Sequence, residues 1–215
     1  ALAVYRPVDV SAKFLAATAQ ALARDYPALT VAPEVGDFTR PLDLPPPHGP
    51  RVGFFPGSTL GNLAPSEAQA LLRRARGWPG VQAFVLGIDL VKDEETLLPA
   101  YDDAAGVTAQ FNLNLLHRMN REIGTDFDVE AFAHQVVWDP DAAAIEMHLA
   151  SLVPQQVRLG EQTVDFARGE TIHTETSRKF TPERLAALAG SAGWRVAEVL
   201  TDEARRFAVA VLAPD

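Results

Sequence analysis

Short apolar runs alternate with amphipathic stretches along residues 1–91 of the chain. The runs are typical of buried strands, and the amphipathic stretches are typical of helices, the first of which begins at Ser11. The predicted strands cover 2–8, 29–35, 51–55 and 81–90, and a second helix covers 66–76. Because successive prolines cannot join a hydrogen-bonded ladder, the stretch 41–50 is predicted to be a loop. Strands and helices that alternate at this spacing indicate βαβ units and a parallel sheet.

The pattern changes after residue 91, where helical periodicity over 92–125 is followed by strand-like sequence over 134–179. Within the second stretch we expect 145–152 and 157–166 to be antiparallel partners, with Gly160 between them. A helix over 181–192 follows, capped by Thr181 with Pro182 at its first position. The predicted last strands are 195–200 and 205–212.

These elements together predict a partial Rossmann-like α/β sheet with an α+β insertion between its fifth strand and its last helix. We therefore divide the chain into three parts. Residues 1–91 form the core, 92–180 form the insertion, and 181–215 return to the core sheet.

Composition narrows the partners that we expect. Acidic residues outnumber basic ones by 28 to 19, for a net charge of −9, and such a chain repels nucleic acid and anionic lipid. The absence of cysteine excludes disulfides, thiolate nucleophiles and cysteine-ligated metals. The sequence has no apolar run of membrane-spanning length and no signal-peptide layout, so we expect a cytoplasmic protein that binds a small molecule.

Common nucleotide and hydrolase motifs are absent from the sequence. It has no G-x-x-x-x-G-K-[ST], no G-x-G-x-x-G and no G-x-S-x-G. No two of its histidines stand at helical i, i+4 spacing, so we predict no metal site. The five histidines are His48, His117, His134, His148 and His173.

Three polar positions follow predicted strands, at the edge where open α/β sheets bind ligands. Asp9 closes the first strand, where an acid can accept hydrogen bonds from both hydroxyls of a ribose or can simply begin a helix. Asp37 closes the second strand, where it can accept from an adenine amino group beside Phe38 or can simply form a Gly-Asp turn. Asn62 ends the GSTLGN loop, where it can bind a ligand or cap the next helix.

Seven strings occur in an order that resembles one enzyme family. They are YRPVDVS, VGDF, FFPGSTLGN, GIDLVKD, YDDAAGVTAQFNLNLL, IEMHL and HTETSRKF. The series resembles the S-adenosylmethionine-dependent L-histidine Nα-methyltransferases of ergothioneine biosynthesis, and fungal tryptophan-derivative N-methyltransferases are relatives of these enzymes. The resemblance implies a class I methyltransferase fold with a substrate-binding insertion, and trimethylation of L-histidine to hercynine with S-adenosylmethionine as cofactor.

The resemblance also implies roles for individual residues. Asp9 would hold the cofactor ribose, and Asp37 and Phe38 would hold its adenine. The residues implied for the substrate are Asn62 and Tyr101 at the carboxylate, Glu175, Thr176 and Ser177 at the imidazole, and Met147 in the side-chain pocket. The amine must lose a proton before it reacts, but the sequence identifies no general base, so the catalytic residue is unknown.

The chain departs from the family pattern at its start, where the first strand, the glycine-rich cofactor loop and a substrate tyrosine of the family are absent. We therefore expect this chain alone to bind the cofactor weakly and to be inactive. We expect a monomer for the full-length protein and a dimer, through an uncovered sheet edge, for the chain alone.

Three alternatives stay open at this point. The first is a tryptophan-type N-methyltransferase, which would favour an apolar residue at the position of Glu175. The second is a truncated, non-catalytic binding protein. The third, a nicotinamide oxidoreductase, is disfavoured by the missing dinucleotide fingerprint.

Overall fold

The computed structural model describes residues 2–47 and 49–215. Ala1 lies outside the described residues, as does His48, one of the five histidines of the sequence. The helices are α1 (Ala12–Asp25), α2 (Pro65–Arg76), α3 (Glu94–Tyr101), α4 (Val107–Ile123) and α5 (Pro182–Ser191). The strands are β1 (Val4–Tyr5), β2 (Val8–Asp9), β3 (Thr30–Val31), β4 (Glu34–Val35), β5 (Arg51–Phe55), β6 (Val81–Asp89), β7 (Phe132–Asp139), β8 (Ala144–Ser151), β9 (Gln155–Leu159), β10 (Gln162–Phe166), β11 (Thr171–Arg178), β12 (Trp194–Thr201) and β13 (Phe207–Pro214).

The largest sheet has the strand order β12-β13-β6-β5. β5 and β6 are parallel and are joined through α2, as the alternating pattern predicts, whereas β13 runs antiparallel to both of its neighbours. The main core lies between this sheet and the helices α2 and α5, and Phe84 and Trp194 are among its largest fully buried side chains. Trp194 Nε1 donates to the Leu72 carbonyl of α2 over 2.9 Å, so the largest side chain of this core is also hydrogen-bonded.

Two short parallel pairs, β1 with β3 and β2 with β4, replace the longer strands predicted over 2–8 and 29–35. The proline at position 7 has no N–H to donate, and Pro33 interrupts the second segment in the same way. Ser11 caps α1 by accepting from the Phe14 N–H over 3.4 Å, as predicted. β5 is an edge strand of the largest sheet, and the side chains of Val52 and Phe54 are 57% and 62% exposed.

A second sheet, with the order β11-β8-β7, lies within the predicted insertion. Its register shifts between His173 and Glu175, at an irregularity in β11. Helix α4 packs on this sheet through Leu116, which lies in a separate core cluster with Phe132 and Leu149. The boundaries at 91 and 180 remain a prediction, although every strand of this sheet falls between them.

The predicted pairing of 145–152 with 157–166 is wrong. Residues 157–166 do not form one strand, because the chain turns back at Gly160, where φ is +62°, and β9 pairs with β10 in a hairpin of its own. β8 pairs instead with β7 and β11. Within the described ranges, 2–47 and 49–215, the structure contains no helix with the length and apolar character needed to cross a membrane.

Candidate active site

Asp9 lies at the carboxyl end of β2, beside the end of the parallel strand β4. Its Oδ1 accepts from the Ser11 N–H over 2.7 Å, and its backbone carbonyl accepts from the Gly36 N–H over 3.1 Å. Within the part of the chain that the structure describes, the second carboxylate oxygen of Asp9 has no hydrogen-bond partner. This oxygen remains free to accept from a ligand.

Asp37 and Phe38 follow β4 at the same edge. Asp37 Oδ1 accepts from the Thr39 hydroxyl over 2.6 Å and from the Thr39 N–H over 2.8 Å, and Arg40 Nε lies 3.3 Å from Oδ2. The Thr39 hydroxyl and N–H are the main causes that lower the pKa of Asp37. Phe38 packs edge-to-face on Phe55 of β5, with ring centroids 5.3 Å apart.

These residues fit the nucleoside part of S-adenosylmethionine. Vicinal ribose hydroxyls are donors, and Asp9 offers them an unshared carboxylate oxygen at a strand end. The Asp37 carboxylate accepts hydrogen bonds from Thr39 and so stabilises its own turn. It could accept from an adenine amino group only through its remaining lone pairs. The two carboxylates lie at the ends of paired parallel strands, which is where this fold class binds its ligand.

The loop after β5 is held against both sheets. Ser58 lies in the left-handed region at φ 56°, and its hydroxyl accepts from the Asp89 N–H at the end of β6 over 2.9 Å. Gly61 lies against β11 so closely that a Cβ there would be 2.5 Å from the Arg178 carbonyl oxygen. This approach brings Asn62 to β11, where its Nδ2 donates to Glu175 Oε1 over 2.5 Å. Asn62 therefore contacts Glu175, and α2 begins after Ala64.

Glu175 and Ser177 lie on one face of β11, because side chains alternate along a strand. The Ser177 hydroxyl is 2.8 Å from the Tyr101 hydroxyl at the end of α3. Lys179 Nζ donates to the Tyr101 oxygen over 2.6 Å and to Ser177 Oγ over 2.8 Å. The end of α3, the residues of β11 and, through Asn62, the loop after β5 therefore meet at one polar cluster.

Lys179 is 1% exposed, and its charge is balanced by Asp89. Lys179 Nζ lies 2.9 Å from Asp89 Oδ2, while Lys92 donates to Asp89 Oδ1. Lys179 Nζ also lies 4.5 Å from the centroid of the Tyr101 ring. A buried lysine is costly unless it is paired and hydrogen-bonded, and here all three of its hydrogens have acceptors.

The hydroxyl hydrogens of Tyr101 and Ser177 and the oxygens of Glu175 determine which hydrogen bonds this cluster can make to a ligand. Tyr101 and Ser177 each have one hydroxyl hydrogen, and one of the two is used in the bond between them. Lys179 cannot accept, so the second hydroxyl hydrogen is left for a ligand. Glu175 has one oxygen bound to Asn62 and a second without a partner among the described residues. The site therefore presents one donor and one acceptor side by side.

The end of α3 that carries Tyr101 is held by a hydrogen bond to His134 of β7. The Tyr101 carbonyl can only accept, so His134 Nε2, 2.8 Å away, is the protonated nitrogen of that ring. His134 Nδ1 then accepts from the buried Asn112 side chain over 2.9 Å, and the same amide donates to the His148 carbonyl over 3.1 Å. These contacts link α3, α4 and the β7–β8 sheet at the back of the cluster.

The remaining residues implied for the substrate are divided between two faces of the second sheet. Met147 is buried and is the cross-strand partner of Glu175, so it lies on the same face as the cluster. Thr176 lies on the opposite face, where its hydroxyl is 2.9 Å from His173 Nε2. The structure does not bring the Thr176 side chain to the other implied substrate residues.

Sequence reasoning missed Asp89 and Lys179. Both stand in strings that carry the resemblance, GIDLVKD and HTETSRKF. The alternation along β11 was the available signal, since Glu175, Ser177 and Lys179 are each two residues apart. Asp89 ends a buried strand at the ligand edge of the sheet, which is the same signal that identified Asp9.

The fold is that of a class I S-adenosylmethionine-dependent methyltransferase. The chain is similar in structure to the CcbJ methyltransferase from Streptomyces caelestis, with a TM-score of 0.53, 20% identity, and coverage of 98% of this chain and 79% of that one. It is also similar to an S-adenosylmethionine-dependent methyltransferase from Clostridium acetobutylicum, with a TM-score of 0.51, 9% identity, and coverage of 97% of this chain and 74% of that one.

The family is defined by sequence. Residues 1–214 match the model of the family described as histidine-specific methyltransferase, SAM-dependent, and the chain belongs to this family. The chain is 43% identical over 211 residues to a histidine N-alpha-methyltransferase from Mycobacterium tuberculosis, which covers 96% of this chain. The chain spans 65% of the length of that relative. The resemblance seen in the seven strings is confirmed, and S-adenosylmethionine is the cofactor of this family.

Proposed function

We propose that the full-length protein transfers methyl groups from S-adenosylmethionine to the α-amino group of L-histidine. Three transfers would give the betaine hercynine, a precursor in ergothioneine biosynthesis. The observation that carries the proposal is that Glu175 and Ser177 lie side by side on β11, where Glu175 is an acceptor and we assign the role of donor to Ser177. A cytoplasmic location and a monomeric full-length protein are further parts of the proposal.

The pair is complementary to a neutral imidazole. Such a ring has one N–H, which would donate to the free oxygen of Glu175, and one lone pair, which would accept from Ser177. Lys179 Nζ donates to Ser177 Oγ over 2.8 Å, which leaves the Ser177 hydroxyl hydrogen available to the ring. An indole or phenyl ring has no lone pair for Ser177, and a phenyl ring also leaves Glu175 without a donor.

The carboxylate of the amino acid would lie at Asn62, which uses one amide hydrogen on Glu175 and retains a second. To bind the substrate carboxylate, Tyr101 would have to donate its own hydroxyl hydrogen, and we assign that hydrogen to the bond with Ser177. In our assignment Tyr101 donates to Ser177 and orients it, so the role of Tyr101 at the carboxylate stays a prediction.

When bound, S-adenosylmethionine would supply the methyl group: the amine nitrogen would bond to the methyl carbon as the bond from that carbon to sulfur breaks, which releases S-adenosylhomocysteine. Asp9, Asp37 and Phe38 are the residues of this chain that would hold its nucleoside part. The chain's main contribution to catalysis is positioning: a ligand held by its ring and its carboxylate presents its amine in a fixed place. Because neither contact uses the amine, its substituents can grow from one to three methyl groups while the ring stays bound.

The test is a product assay with the full-length protein, S-adenosylmethionine and each of L-histidine, L-tryptophan and L-phenylalanine. Mass spectrometry should show mono-, di- and trimethylated histidine in succession and no product from the other two amino acids. A tryptophan product without a histidine product would favour the tryptophan-type alternative. Histidine binding without methyl transfer would favour the non-catalytic alternative. Either result would contradict the proposal.

A further inference from the structure

Two histidines and a glutamate lie together on the face of the second sheet that is turned away from the active-site cluster. Glu146 and His148 are two residues apart on β8, so their side chains share a face. His173 is the cross-strand partner of His148 on β11 and adds a third side chain to that face. None of the three has a role in the proposed methyl transfer.

The three side chains offer ligand atoms that all lie within 4.8 Å of one another. His148 Nε2 is 3.2 Å from Glu146 Oε2. Two ligands bound to one tetrahedral zinc ion at about 2.0 Å are separated by roughly 3.3 Å, so this pair already has a suitable spacing. The rings of His148 and His173 are stacked with their centroids 4.9 Å apart, so the His173 ring has to tilt out of the stack before both imidazole lone pairs can point at one ion.

The surrounding contacts leave lone pairs available in this cluster. His173 Nε2 is 3.0 Å from the Glu175 carbonyl, which can only accept, so Nε2 carries the proton and Nδ1 has an unshared lone pair. A backbone carbonyl that holds the far nitrogen of a histidine is the common outer contact of metal-binding imidazoles. The Thr176 hydroxyl lies 2.9 Å from the same nitrogen and can also accept from it.

His148 faces Glu146 through one ring nitrogen only. Its Nδ1 is buried and has no hydrogen-bond partner among the residues that the structure describes. Nδ1 lies on the other edge of the ring from Nε2, the nitrogen that faces Glu146, so Nε2 is the ligand atom of His148 and an ion bound there does not contact Nδ1. The His148 carbonyl is itself held by Asn112, so the backbone of this residue is fixed between α4 and the sheet.

From these contacts we infer that Glu146, His148 and His173 form a binding site for a zinc-type divalent cation. Two imidazoles and one carboxylate are ligands that Zn²⁺ and Co²⁺ accept, with water in the remaining position. The ligands come from two adjacent, hydrogen-bonded strands of one sheet, which limits the ordering required when the ion binds. The site is separate from the methyl-transfer site, and its test does not depend on that activity.

The experiment uses the tag-free, full-length protein, stripped with chelator and titrated with ZnCl₂ by calorimetry and with CoCl₂ by visible absorption. We expect one ion per chain and a cobalt spectrum typical of nitrogen and oxygen ligands. His148→Ala, His173→Gln and Glu146→Gln should each weaken zinc binding at least about tenfold. The exposed His117, on α4 and outside the cluster, supplies the matched control, and His117→Ala should leave the affinity unchanged.

His173 is exposed, so His173→Gln tests the site even if the variant of the more buried His148 folds poorly. Circular dichroism of each variant confirms that its fold is retained. An affinity that is unchanged in His173→Gln and Glu146→Gln would overturn the inference, as would the absence of any zinc or cobalt binding to the unmodified protein.

Discussion

The two ends of the candidate active site are built in different ways. At the cofactor end, the side-chain hydrogen bonds of Asp9 and Asp37 go to residues within three positions along the chain. At the substrate end, Glu175 is bound by Asn62 from 113 positions away, and Lys179 joins Tyr101 from 78 positions away. Local contacts form with the turn that contains them, whereas long-range contacts exist only in the complete fold.

The difference has a consequence for what a substitution does. A carboxylate bound only within its own turn can be removed with little effect on distant residues, so its loss reports on the ligand that it binds. A residue such as Lys179 holds Asp89, Tyr101 and Ser177 at once, so its loss reports on both stability and the site.

The largest effect is expected at Lys179. Lys179→Met keeps most of the buried stem but leaves Asp89 with Lys92 alone and both hydroxyls without their shared donor. We expect a loss of about 3 kcal/mol in the free energy of unfolding, typical of a broken buried ion pair, and histidine affinity reduced by more than about tenfold. Urea denaturation and calorimetry measure the two quantities.

Lys92→Met is the matched control, because it removes a charge from the same carboxylate without touching Tyr101 or Ser177. It should cost less stability and should leave histidine affinity nearly unchanged. Equal losses of histidine affinity in the two variants would show that Lys179 does not organise the hydroxyls.

The next effect is expected at Glu175. Glu175→Ala removes the acceptor for the imidazole N–H, a contact to a charged group worth roughly 1–3 kcal/mol or more. The Michaelis constant for histidine should rise more than about tenfold, and the preference for histidine over tryptophan and phenylalanine should narrow. Affinity for the cofactor should stay the same. Unchanged histidine kinetics would remove Glu175 from the site.

Asp9 is the corresponding test at the cofactor end. Asp9→Ala should weaken S-adenosylmethionine binding by about 1–3 kcal/mol, because the ribose hydroxyls lose a charged acceptor. Histidine affinity should change little, since no side-chain contact joins Asp9 to the substrate end among the described residues. Asp25→Ala is the control, because it removes a carboxylate at the far end of α1, away from the strand end that carries Asp9. If both affinities fell together, the role of Asp9 would be structural.

The smallest effect is a pH dependence. Asp103 follows Tyr101 and accepts from the Thr108 and Val107 N–H groups, which lower the pKa of its carboxyl to about 2. A lowered pKa in the folded state stabilises the fold above the ordinary value of 3.8, and this contribution disappears as the pH falls toward about 2. The urea midpoint of Asp103→Asn should therefore fall less than that of the unmodified protein across this pH range.

Asp37 gives the matching measurement at the cofactor end, where the Thr39 hydroxyl is the main cause of its lowered pKa. Asp37→Asn should flatten the acid dependence in the same direction. If neither variant altered the slope between pH 4 and pH 2, these turns would not contribute to acid sensitivity.

The regular elements were predictable because their signals are local. The cap at Ser11 and the Thr181-Pro182 start of α5 were read from single residues, and both helices begin there. The hairpin of β9 and β10 was not predicted, because the turn after Leu159 lacks the usual two-residue signature. A local pattern does not indicate which strands pair with each other. For this reason the predicted pairing of 145–152 with 157–166 is wrong, and β8 pairs with β7 and β11 instead.

The same limit applies to the site. Position at a strand end identified Asp9 and Asn62, but the partner of Asn62 is known only once the loop lies against β11. Helical spacing predicts no shared site for the histidines, whereas His148 and His173 meet across two strands. The spacing of Glu146 and His148, two apart on a strand, was the available signal.

In our proposal, the substrate end recognises a ring with one donor and one acceptor. The most direct test is calorimetric titration of the full-length protein, saturated with S-adenosylhomocysteine, with L-histidine and then with L-phenylalanine. A site built on hydrogen bonds should favour histidine by at least about a hundredfold. Histidine and phenylalanine affinities within a factor of about three of each other would contradict the account, because an apolar pocket would then explain the binding.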